Sequence, residues 1–313
     1  MSSTPATNNQ LRKGLGYAIG AYLLWGLTPV FFKLLEEVST YEIIAHRIIW
    51  SLILLVFFIT ISQNWLQVAR IGKQPKNLLQ LFLSSILICV NWTIYVWAVN
   101  NGNILETSLG YFTCPLSSIL LGIIFFKERF RTFQWAALAL AALGILIQFW
   151  LFGTIPIIAL SIALSFSLYG FARKLIGVDP MAGLFFETLW LLPAALVYLF
   201  FFNDNSTTSN LLNNRSSLNF LLVASGAMTT IPLILFNAAA IRLRLSTLGF
   251  IQYLGPTFAF MLAIFVYHET VGMDKWITFI FIWSGLLLFI CDNLAQTAKN
   301  NSLKNAGQAS SKD

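Results

Sequence analysis

Charge is scarce in this chain: only 10% of its 313 residues are Asp, Glu, Lys or Arg, against about a quarter in ordinary soluble domains. So little charge argues against a protein wetted on all sides. Histidine and cysteine are scarcer still, with 2 and 3 residues. His46 and His268 lie far apart, so no metal-ligand cluster of familiar spacing can be drawn. Cys89, Cys114 and Cys291 all fall inside apolar runs, where a thiol acts as a small hydrophobe and no disulfide framework is implied. There is no phosphate-binding glycine loop, nucleophile elbow or zinc-hydrolase motif, so no cofactor is expected and the commonest enzyme classes drop out. The first ten residues are polar and lack the apolar region and cleavage site of a signal peptide. Bases outnumber acids 19 to 12, but they are scattered over short segments instead of forming a patch, so nucleic acid is not an expected partner.

What the chain has in abundance is apolar length. Hydrophobic residues make up 58% and mean hydropathy is +0.76. A helix of about 20 apolar residues crosses a bilayer with its backbone hydrogen bonds satisfied internally. Ten such runs are predicted, at 15–33, 43–61, 78–99, 105–126, 133–151, 154–171, 181–202, 218–240, 245–267 and 275–291. Two of them abut at Gly153, yet residues 133–171 are too long for one crossing of about 30 Å. Lys and Arg crowd cytoplasmic loops in membrane proteins. With the N-terminus inside, 15 of the 19 basic residues fall in cytoplasmic segments, three (Lys33, Arg215, Lys275) fall outside, and Arg47 stands within a span. Both termini are therefore expected in the cytoplasm. Residues 203–217 read as the one sizeable outside loop, and 295–313 as a flexible polar tail.

The chain also repeats itself. A shift of 141 residues lays Pro115 on Pro256, Phe126 beside Tyr267, Glu128 on Glu269, Trp135 on Trp276 and Gly144 on Gly285. A shift of 144 lays Trp25-Gly26 on Tyr169-Gly170. The expected division is a tail at 1–13, five-helix units at 14–152 and 153–292, and a tail at 293–313. Because five is odd, the second unit enters the membrane upside down, as in carriers that work by alternating access.

Five stretches carry a family likeness: AYLLWGLTPVFFK at 21–33, EIIAHRIIWS at 42–51, NWTIYVWAVNNGNILETSLGYF at 91–112, LSFSLYGFARK at 164–174 and LSTLGFIQYLGP at 245–256. The chain resembles the RarD proteins of the EamA, or drug/metabolite transporter, superfamily over residues 14–290. The resemblance implies an all-α membrane protein, ten transmembrane helices as two inverted five-helix EamA repeats, in a bacterial inner membrane. It also implies carrier activity, often export, on small metabolites or drugs; RarD members are commonly described as chloramphenicol-sensitivity proteins. In one departure, Cys114-Pro115 stands where the family usually has Asn-Pro.

Polar residues at membrane depth are costly unless they pair or face a cavity, which makes them the candidates for a substrate path. Arg47 leads, as a guanidinium that either binds a carboxylate or gating partner in a cavity or reaches the outer interface. Trp50 follows on the same helical face. Asn91 and Tyr95 form a polar stripe with Ser84. Tyr169 shares a face with Ser161 and Ser165, Asn237 follows Pro232, and Gln252 and Tyr253 lie beside Pro256. Glu187, the one acid well inside a span, is the candidate for proton coupling. The expected partners are a small-molecule substrate and the lipid bilayer, with a homodimer left open. A secondary carrier fits this pattern; a non-transporting membrane partner or regulator would not need the polar stripes, and an intramembrane enzyme would need clustered acids or histidines.

Overall fold

The computed structural model describes residues 8–35, 37–101, 103–202, 207–208, 214–266 and 272–309. Its helices are α1 (Asn8–Lys33), α2 (Thr40–Ile61), α3 (Trp65–Gly72), α4 (Pro75–Asn100), α5 (Ile104–Phe126), α6 (Thr132–Phe152), α7 (Ile157–Ile176), α8 (Pro180–Phe201), α9 (Ser216–Ala240), α10 (Leu245–Gln252), α11 (Leu254–Phe265) and α12 (Met273–Ala309). Among the described residues there is no strand, and ten segments are long and apolar enough to cross a membrane. The chain is a multi-pass, all-α membrane protein. Tyr267, His268 and Glu269, and most of the 203–217 loop, lie outside the described residues.

Local chemistry sets the helix ends. The junction at Gly153 is real: the residue turns left-handed at φ +80° after α6, and Gly177 does the same at φ +65° after α7, a conformation that costs glycine nothing. Asp179 accepts from the N–H groups of Met181 and Ala182 at 3.1 and 2.9 Å. Pro180 takes the first position of α8, where its missing N–H has no helical partner to lose. Glu128, beyond α5, accepts from the backbone N–H groups of Leu245 and Ser246 at 2.8 and 3.0 Å. A carboxylate on the positive end of α10 thus ties the two halves of the chain together.

Three features depart from the sequence expectations. α3 was not anticipated; it is amphipathic, with Val68 and Ile71 buried and Trp65 and Leu66 exposed, and eight residues cannot cross a bilayer. The ninth span is two helices, α10 and α11, parted at Tyr253, because Pro256 has no N–H to give the Gln252 carbonyl. The stretch from 295, expected as a flexible tail, continues α12 as helix to Ala309. Its Ala, Lys, Gln and Leu are good helix formers, and adding turns to a formed helix avoids the cost of nucleation.

Close helix crossings are made by small residues, as is usual where lipid supplies no hydrophobic drive. Where α6 crosses α12, a Cβ on Gly144 would meet the Thr278 carbonyl at 3.2 Å and Phe281 Cβ at 3.1 Å, while one on Gly285 would meet the Ala137 carbonyl at 2.7 Å and Leu140 Cβ at 3.5 Å. Each set is the other displaced by 141 residues. In the same way α1 packs on α9 and α11 while α7 packs on α4 and α5.

Candidate functional site

A cavity of about 790 Å³ lies between the spans, and every span except α8 contributes to its wall. Lys33 at the end of α1, Ser108 near the start of α5, Phe152 at the end of α6 and Lys275 at the start of α12 all line it. The cavity therefore reaches the end of the bundle opposite the 127–131 and 241–244 loops. Tyr22, Ile88, Phe166, Leu233 and Gln252 form its deeper part.

Four of the candidate residues meet at this cavity: Arg47, Asn91, Tyr95 and Gln252. Arg47 Nε donates to Thr229 Oγ1 at 2.7 Å. Its guanidinium carbon lies 5.2 Å from the Phe32 ring centre and 4.8 Å from that of Trp92, so aromatic rings flank the cation. Asn91 Nδ2 donates to the Ile162 carbonyl and to Ser165 Oγ, both at 3.0 Å, tying α4 to α7. Tyr95 meets Tyr111 edge to face at 5.8 Å. Ser118 donates to Gln252 Oε1 at 3.4 Å.

The other candidates lie elsewhere. Trp50 donates from Nε1 to His46 Nδ1 at 3.2 Å and packs against Gly226, away from the cavity. Tyr253 is buried behind the wall among Ala141, Ile145 and Ile282, and its hydroxyl makes no hydrogen bond among the described residues. Cys114 also faces away, toward the Ile162 carbonyl on α7.

Tyr169, Asn237 and Glu187 form a separate network toward the basic end, where the cavity is sealed. Arg173 Nη1 stands 3.5 Å from Glu187 Oε1, and Nη2 donates to the Pro180 carbonyl at 3.3 Å. Tyr169 donates to Glu187 Oε2 at 3.1 Å and receives a bond from Asn237 Nδ2 at 3.1 Å. Ser84 donates to the same carboxylate. All five side chains are buried, and they join α4, α7, α8 and α9. Beside them, Lys174 donates to the Ala240 and Leu243 carbonyls. Between network and cavity lies a void of about 10 Å³ bordered by Glu187, Thr188, Thr229 and Thr230, near the lower limit for one water.

Sequence reasoning did not single out Arg173, Thr229, Trp92 or the two lysines at the mouth. By position along the chain Arg173 falls just past the 154–171 run with the cytoplasmic charges, and Lys33 and Lys275 fall with the outside ones. Their role depends on what neighbouring helices bring, which no local pattern contains.

Comparison with known proteins agrees with this architecture. Residues 12–150 match the profile described as the EamA-like transporter family. The chain is 52% identical over 283 residues to Protein RarD of Salmonella typhi, covering 90% of this chain and 96% of that protein. It is 49% identical over 283 residues to Protein RarD of Escherichia coli strain K12, covering 90% and 95%. A solved crystal structure superposes with a TM-score of 0.70 at 18% identity, covering 88% of this chain and 96% of the other; at that identity the likeness speaks for the fold alone.

Proposed function

Since this chain belongs to the EamA-like transporter family, alongside the RarD proteins, we propose that it is a secondary carrier exporting small metabolites or drugs across a bacterial inner membrane by alternating access. The observation that carries this reading is a bundle with a large cavity reaching one end and a buried polar network sealing the other. A carrier needs one binding space and two gates that are not open together. With the basic end in the cytoplasm, as the charge distribution favours, this is the outward-facing state and the network around Glu187 is the closed inner gate. The reciprocal contacts at Gly144 and Gly285 support two inverted five-helix units, because a two-fold relation makes residue i touch j while the counterpart of j touches that of i.

The test is counterflow in proteoliposomes holding the purified chain, loaded in turn with members of a metabolite and drug panel. Unlabelled internal substrate should drive transient accumulation of the labelled species, because it competes with the label for the return trip through the carrier. Counterflow with no member of the panel, alongside saturable binding, would remove the carrier reading in favour of a non-transporting membrane partner.

A further inference from the structure

We propose that the cavity selects organic anions, taking a carboxylate or similar monoanion on a flat apolar body. This rests on the carrier reading and names the substrate class of the same cavity. Tyrosines aside, the ionisable side chains lining it are Lys33, Arg47 and Lys275; among the described residues no Asp or Glu lines it. Arg47 points most directly to a ligand. Its Nε is held by a neutral hydroxyl and its faces lie near two rings, and no described side chain accepts from its Nη groups. A guanidinium held at membrane depth without a counter-anion is costly, and its planar fork matches a carboxylate.

Much of the remaining wall is aromatic, including Tyr22, Trp25, Tyr111 and Phe260, which suits a flat apolar body. Aromatic walls also attract cations through their ring faces. Here an ammonium ligand would meet the Arg47 guanidinium and, among the described residues, no lining carboxylate to receive it, which discriminates against it.

Cinnamate, cinnamamide and cinnamylamine, one shape carrying charge of about −1, 0 and +1, are titrated onto the full chain in nanodiscs. Cinnamate should bind about tenfold or more tighter than cinnamamide, the scale of one charge-assisted hydrogen bond, and cinnamylamine weakest. Arg47→Gln should collapse the cinnamate-to-cinnamamide ratio to about one, with Arg47→Lys between because it keeps the charge and loses the fork. Should the variants fail to accumulate, the wild-type series still decides by its order and by a cinnamate affinity that weakens with salt. Equal affinities, an amine that binds tightest, or no saturable binding of any of the three overturns the proposal. Cinnamate that binds selectively but never shows counterflow leaves the anion site standing and removes the carrier reading. Counterflow of neutral and cationic solutes with no preference for anions does the reverse.

Discussion

Arg173→Gln is the most informative single perturbation of the sealed end. Arg173 and Glu187 are each 1% exposed and stand 3.5 Å apart, so the substitution leaves a buried carboxylate with Ser84 and Tyr169 but no cation. Removing one partner of a buried pair costs about 3–5 kcal/mol. Under the proposed alternating-access cycle, that cost falls on the closed inner gate, since opening it would let water reach Glu187. At about 1.4 kcal/mol per factor of ten, the balance should move by about two to three and a half powers of ten toward the inward-open state. Ala240 is fully buried beside Lys174, and in a background lacking the native cysteines Ala240→Cys reports the opening. In inverted vesicles an impermeant thiol reagent should label it far faster with Arg173→Gln than without. The double variant Arg173→Met, Glu187→Leu separates charge from packing, because replacing both ions by apolar groups is often neutral or stabilising. It should re-seal the gate, with labelling as slow as in the parent and transport slowed. Unchanged labelling in the single variant, or equal opening in single and double, would refute the ion pair as the latch.

Two further outcomes test the frame around that gate. Reporter fusions after residues 72, 129, 175 and 243 should read as cytoplasmic and those after 102, 210 and 272 as external; a cytoplasmic signal at 210 would sink the inversion of the second half. Gly285→Ala should destabilise the detergent-solubilised chain by about 1–3 kcal/mol through overpacking, seen as a lower melting temperature, because its Cβ would stand 2.7 Å from the Ala137 backbone carbonyl. Gly144→Ala should cost less, since its tightest contact is 3.1 Å, and a reversed order would reject the crossing geometry.

The ten spans were legible because a crossing helix is a long apolar run, a signal carried by single residues in order. α3 was not, because eight amphipathic residues between two spans look like a loop until Val68 and Ile71 find an apolar surface to cover. The helical tail of α12 was missed because composition describes solubility, whereas the helix was already formed when it reached residue 295. Neighbours in sequence also parted: Gln252 faces the cavity and Tyr253 does not, since successive helical positions point about 100° apart. Trp50, one turn beyond Arg47, goes to His46 and Gly226 instead of the cavity. Arg173 was counted as a loop charge because it ends a span, and only α8 packing alongside, with Glu187 on it, makes it part of a buried network.

Glu187 remains the candidate for proton coupling, and its surroundings sharpen what that role requires. On the cavity side only the small void beside Thr188 and Thr229 separates it from the binding space; on the other side it is covered by Arg173 and Tyr169. On the proposed carrier reading, the carboxylate is the counter-ion that holds the inner gate shut. On that reading, when the gate opens Glu187 meets cytoplasmic water and can take a proton; a protonated carboxyl no longer neutralises Arg173, so re-closing is slowed until the proton has left. Glu187→Gln imitates the protonated form permanently. It should bias the gate open as Arg173→Gln does, label Ala240→Cys with no pH dependence beyond that of the thiol itself, and abolish the dependence of transport on a pH gradient while exchange at equal pH persists. In the parent, lowering cytoplasmic pH should speed labelling relative to the same reagent's rate on a free thiol at that pH. Among the described residues Arg173 makes no second ion pair. A Glu187→Gln chain whose labelling and transport kept the parental pH dependence would take Glu187 out of the coupling mechanism and leave it a structural ion.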